Sequence, residues 1–117
     1  MANYLFTYRV PRDYPAVGPE VAAAWQAFLD GLGPNLVDAG NPVFTRQGVG
    51  NCLDDTVLGG YSIVAAEDLG AAAVLAERCP YVQAGGGVEV GEITPLNPES
   101  IATTADDHAW ATQQERG

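Results

Sequence analysis

The run Tyr4-Leu5-Phe6-Thr7-Tyr8-Arg9-Val10 constrains this chain more than any other stretch. Tyr4, Phe6, Tyr8 and Val10 stand at every second position, and that period marks a strand with one buried face. Such a strand needs a cover, and the next segment supplies one. Val21, Trp25, Phe28 and Leu32, with Leu29 beside them, recur at helical spacing between Gly18-Pro19-Glu20 and a stop at Gly31, Gly33 and Pro34. Proline and an acid in a first turn suit a helix start, and glycine with proline suits its end.

The remaining patterns extend this plan. Asn35 to Asn41 reads as a turn-rich connection, and Pro42-Val43-Phe44-Thr45-Arg46 as a second strand near an edge, since proline cannot donate to a ladder. Gly48 to Asp55 reads as a loop or hairpin. Thr56 to Val64 reads as a third strand, and Gly59-Gly60 within it signals a bulge or a close approach of backbone or ligand. A second helix is expected from Ala66-Glu67-Asp68, with Leu69, Ala72, Ala73, Ala76 and Cys79 on one stripe and Pro80 as its stop. Gly85-Gly86-Gly87 makes a turn into a last strand, Val88 to Ile93. Residues 1–96 therefore form one domain, and the polar residues 97–117 form an arm or tail with Trp110 as a possible anchor. The order β-α-β-β-α-β defines an α+β, ferredoxin-like fold with two helices on one sheet face. The other face is left bare and apolar, and a second copy of the chain is the simplest cover, so a homodimer is expected.

Composition narrows the function. With 117 residues, 47% hydrophobic and 17% charged, the chain fits one globular domain. Fifteen acids against five basic residues give a net charge of −10, and Arg9, Arg12, Arg46, Arg78 and Arg116 are scattered along the sequence. No basic patch is expected from them, which disfavours nucleic acid and anionic membrane partners. No secretory leader pattern and no apolar run near the ~20 residues of a membrane helix is visible. Cys52 and Cys79 make no disulfide framework or zinc spacing, which suits a reducing, cytoplasmic setting. Both read as packing residues, since Asp54 and Asp55 disfavour a thiolate at Cys52 and a helix C-terminus disfavours one at Cys79. Asp106-Asp107-His108 is a metal site by residue type alone, without a second ligand cluster, and no metal or cofactor is expected.

Leu58-Gly59-Gly60-Tyr61-Ser62-Ile63-Val64, Ala66-Glu67-Asp68-Leu69, Arg78-Cys79-Pro80 and Gly86-Gly87-Val88-Glu89-Val90 together resemble YCII-related domains of the DGPF subgroup. The Trp25-Gln26-Ala27-Phe28 helix and Asp38-Ala39-Gly40 are similar too, so the likeness runs over roughly residues 3 to 95. The resemblance implies a dimeric α/β-barrel assembly with a cleft between sheet and loops. Some members resemble muconolactone isomerases, and one branch is credited with dehydrochlorinase activity on chlorinated hydroxyquinols. A His-Asp dyad is proposed for the core family. This chain departs from it: its one histidine, His108, lies in the tail, Trp25 stands near the expected histidine position, and Asn51-Cys52-Leu53-Asp54-Asp55 replaces the Asp-Gly-Pro-Phe signature.

Asp38, where the family carboxylate is expected, is the candidate general base, or else a turn residue bonding its own backbone. Arg46 could grip a carboxylate or enolate, or pair with a surface acid. Tyr8 and Tyr61 could donate to a developing oxyanion, or simply pack with satisfied hydroxyls. Asn41 and Asn51 could add polar contacts, or make turns. Two readings stand: cofactor-independent binding or lyase/isomerase chemistry on a small organic acid, lactone or phenol, and a non-catalytic dimeric interaction domain.

Overall fold

The computed structural model describes residues 1–14, 18–52 and 54–96. The expected arm 97–117, with Trp110 and Asp106-Asp107-His108, lies outside them. The aromatic run forms β1 (Ala2–Pro11) near the middle of a four-stranded sheet. It pairs antiparallel with β3 (Thr56–Ala66) on one side and β4 (Gly87–Glu92) on the other. β2 (Leu36–Pro42) lies outside β3, also antiparallel, giving the order β2-β3-β1-β4 of a ferredoxin-like α+β fold. Alternation along β1 sends Tyr4, Phe6, Tyr8 and Val10 into the core as expected.

α1 (Pro19–Leu32), α2 (Leu69–Ala76) and the single-turn α3 (Pro80–Gln83) cover that inner face. Phe28 and Leu32 of α1, Ala72 and Ala76 of α2, and Cys79 and Tyr81 complete one core cluster with Val64 of β3. A short 3-10 turn, Gly33–Asn35, links α1 to β2. Asp68 caps α2, its carboxylate accepting the Ala71 N–H at 2.8 Å and satisfying a donor the helix cannot use itself. Among the described residues no helix is long and apolar enough to cross a membrane.

Three expectations are corrected. The second strand is Leu36–Pro42, not 42–46. Its turn-forming residues are held in the sheet by pairing to β3, with register shifts between Leu36, Asp38 and Asn41 absorbing the irregularity. Val43 keeps one further bond, its N–H donating to the Gly59 carbonyl at 3.1 Å. The second helix ends at Ala76, and Pro80 opens α3 instead of only stopping its predecessor. Cys79 therefore precedes a helix start. Ala66 is the last residue of β3. The Gly59-Gly60 signal, in contrast, marks a real bulge: Tyr8 pairs with Gly60 and Arg9 with Leu58, leaving Gly59 unpaired. A Cβ at Gly59 would stand 3.0 Å from Tyr81 Cε2, so the bulge lets that ring close against the sheet.

Candidate functional site

The bulge shapes what lies above it. Between α1 and the β2–β3 edge of the sheet is a cavity of about 500 Å³, walled by Tyr8, Trp25, Phe44 and Tyr81, with Tyr61 at its border. Trp25 reaches it because α1 places it one turn before the buried Phe28. Its ring meets Tyr8 edge-on at 4.7 Å between centroids and Tyr81 at 4.9 Å. Edge-to-face packing of this kind fixes ring orientations, and it buries Tyr8 and Tyr81 while Trp25 stays part-exposed.

The polar groups here are few and ordered. The Tyr8 hydroxyl donates to Ser62 Oγ at 2.8 Å, and Ser62 Oγ donates to the Ala39 carbonyl at 2.7 Å. This relay ties β1, β3 and β2 together beneath the cavity. Burial pushes the Tyr8 phenol up to about 12, although the Ser62 bond opposes the shift. Tyr8 is thus a neutral donor at physiological pH. Burial also raises Tyr81, with Tyr14 and Cys79 adding to the effect and the Arg46 charge opposing it. Cys79 is fully buried. Burial lifts its thiol up to about 11, against bonds from the Tyr81 and Val82 backbone, as suits a packing residue.

The fold gathers some of the candidate residues and separates others. Tyr8, Tyr61 and Asn41 all border the cavity. Register sets Tyr61 opposite Thr7, turning its side chain toward the outer sheet face, and the Asn41 amide donates to its hydroxyl at 3.2 Å. Asp38 lies on β2 opposite Ile63 and is exposed. Its carboxylate accepts the Gly40 N–H at 2.8 Å, the local turn bond available to such a residue. Arg46 lies beyond the strand, donating to the Val43 and Leu58 carbonyls at 3.0 Å each. Asn51 is exposed in the same long connection. Neither residue lines the aromatic cavity.

The arginines are less scattered in space than in sequence. Arg9, Arg12 and Arg46 line one separate groove, which corrects the expectation that no basic patch could be assembled. Among the described residues no group of three or more His, Cys, Asp and Glu side chains is placed to hold a metal ion.

Sequence reasoning missed Ser62 and the role of Tyr81. Ser62 left a signal: a hydroxyl at an inward position of a strand whose inward neighbours are apolar needs a partner. Tyr81 left none, because its placement depends on the turn after α2.

The family model of the YCII-related domain matches residues 7–97. Among solved structures the chain is similar to 5-chloro-2-hydroxyhydroquinone dehydrochlorinase from Burkholderia phenoliruptrix AC1100, solved with 2,5-dihydroxybenzoquinone. The two share 25% identity at a TM-score of 0.54, over 80% of this chain and 95% of that one. A comparison with curated proteins finds no match. Since the family match runs from the middle of β1 to beyond β4, the chain belongs to the YCII-related domain family.

Proposed function

We propose that the aromatic cavity binds a small planar phenol or quinone without a cofactor. The observation that carries this reading is the cavity itself, a space of about 500 Å³ walled by aromatic rings with an ordered hydroxyl pair at its base. That volume and apolar lining suit a one-ring ligand, and the few polar groups suit ring oxygens. The similar dehydrochlorinase, solved with a dihydroxybenzoquinone, supports the same ligand class. Among the described residues the lining holds no carboxylate or imidazole. The Tyr8 and Ser62 protons are committed to Ser62 and to the Ala39 carbonyl, so the chemistry these side chains supply is binding, with the Tyr8 oxygen left to accept from a ligand hydroxyl. A lyase or isomerase step of the kind attributed to relatives would draw its proton acceptor from the ligand's own phenolate or from a group outside this lining.

Calorimetric titration with 2,5-dihydroxybenzoquinone and with hydroquinone tests the reading. We expect saturable binding to the wild type. Ala22→Trp, which adds bulk at an exposed α1 position on the cavity wall, should abolish it while leaving the fold intact by circular dichroism. Absence of binding, or binding that Ala22→Trp leaves unchanged, would overturn the proposal.

A second reading rests on a different surface. The outer face of the sheet presents Leu5, Leu58 and Ile63, none of them fully buried in a single chain, and supports a homodimer. Dimer formation is compatible with either a binding or an interaction role.

A further inference from the structure

Three of the chain's five arginines, Arg9, Arg12 and Arg46, border one open groove of about 1000 Å³. Phe44 separates it from the aromatic cavity, lining both. Convergence of cations is unexpected in a chain of net charge −10, because like charges brought together repel unless something offsets them.

The tethers of these arginines orient them with little neutralisation. Arg12 Nε donates to the Asp54 carbonyl at 2.8 Å. Arg9 donates from Nε to Thr56 Oγ1 at 3.2 Å and from Nη2 to the Thr56 carbonyl at 2.8 Å. Arg46 uses Nη1 for the Val43 and Leu58 carbonyls. The ion pair formed among the described residues is Arg9 to Asp54, at 3.4 Å and part exposed. The positive charge of the groove therefore exceeds this one carboxylate. Arg12 commits one donor and Arg46 one nitrogen, whereas a guanidinium carries about five N–H groups. Thr56 and Leu58 stand two residues apart on β3, so the carbonyls that anchor Arg9 and Arg46 lie about 7 Å from each other. Guanidinium groups held at such a spacing can both donate to one oxyanion, and their planar forks match carboxylate and phosphate oxygens.

We propose that this groove is a binding site for a small doubly charged oxyanion, a phosphate group or a dicarboxylate, held between Arg9, Arg12 and Arg46. The acidic remainder of the chain repels an extended polyanion, so the site takes a compact ligand. The site is independent of the aromatic cavity, and its test does not depend on that reading.

The test is a titration of the full 15N-labelled chain, following the arginine Nε–H resonances. Inorganic phosphate and malonate are added separately, with sodium chloride at matched ionic strength as the control. The resonances of Arg9, Arg12 and Arg46 should shift and saturate, while Arg78, which lines a different cavity with residues of α1 and α2, should not move. Saturation by phosphate alone assigns the site to phosphate groups, by malonate alone to dicarboxylates, and by both to the shared chemistry. Arg12→Gln, which removes an exposed side chain with a single bond, should weaken binding by about tenfold. Arg46→Gln should do the same if Arg12→Gln fails to fold, and Ala22→Trp should have no effect. Shifts that never saturate, an equal response to chloride, or unchanged affinity in the folded arginine variant would overturn the proposal.

Discussion

Tyr8 and Ser62 form a pair whose two halves are not equivalent. Tyr8→Phe leaves Ser62 with the Ala39 carbonyl as its partner, so about 1 kcal/mol is the expected loss in urea unfolding. Ser62→Ala leaves a buried phenol proton and a carbonyl unpaired, and about 1–3 kcal/mol should be lost. If Tyr8→Phe proves the costlier of the two, the relay is not what organises this part of the core. The same residues set an alkaline limit. Burial lifts the Cys79 thiol from 9.0 to about 11 and the Tyr8 phenol from 10.0 to about 12. The folded chain therefore keeps protons that the unfolded chain releases. The resulting stability is complete below the unfolded values and drains as pH rises through the folded ones. Urea midpoints should be level from about pH 7 to 8.5 and fall above, with a loss on the order of 2 kcal/mol per group when both are fully ionised. Tyr8→Phe should flatten the upper part of that fall. Of this pair, Tyr8 was legible from the alternation of β1. Ser62 was readable only as one inward position among several.

At the scale of elements, β2 is where local signals and tertiary pairing disagree. Asp38-Ala39-Gly40-Asn41 has the composition of a turn, yet it runs along β3. Gly40 reconciles the two. Its φ is +71°, and a Cβ there would run into the Tyr61 carbonyl, so only glycine lets the bulged strand lie this close. Gly40→Ala should cost about 2–4 kcal/mol, from both the backbone conformation and the clash with a carbonyl that cannot move aside. Gly91→Ala on β4, with open space around it, should change stability by no more than about 0.5 kcal/mol. Comparable melting temperatures for the two variants would show that β2 can shift outward without penalty. β1, α1, β3 and β4 were legible because each couples a strong period to a clear stop, whereas α3 was hidden behind Pro80, which read as the stop of its predecessor. In β2 the residues that announce a stop are the ones that build the bulge.

For the whole molecule, the consequence of a one-sided helical layer is an uncovered sheet face. Leu5 pairs with Ile63 across β1 and β3 on that face, and Leu5 remains 36% exposed. Burying such a surface against a second copy would recover about 25 cal/mol for each Å² of apolar area removed from water. We expect light scattering to give twice the mass of one chain at micromolar concentration. Ile63→Arg, which places a charge in the middle of the face, should give a single-chain mass with unchanged far-ultraviolet circular dichroism. A wild type that elutes as one chain would remove the dimer. Because Tyr61 and Asn41 sit at the border of both this face and the aromatic cavity, dimerisation should also alter affinity for a cavity ligand.

The alternation of strands with two long helices and the inward faces of β1 and α1 follow from the sequence alone, and Gly59-Gly60 signalled a bulge or a close approach, of which the fold shows the bulge. Those features depend on period, glycine and proline, which act through neighbours in the chain. The rest came from long-range packing. It drew Leu36–Pro42 into the sheet because ladder bonds to β3 outweigh a turn preference. It packed Trp25 and Tyr81 edge-on against Tyr8 across three elements. It also set Asp38 on an exposed edge strand, outside the cavity lining, and brought Arg9, Arg12 and Arg46 to one groove. Each of these joins residues far apart along the chain, and only the closing of the sheet specifies such distances.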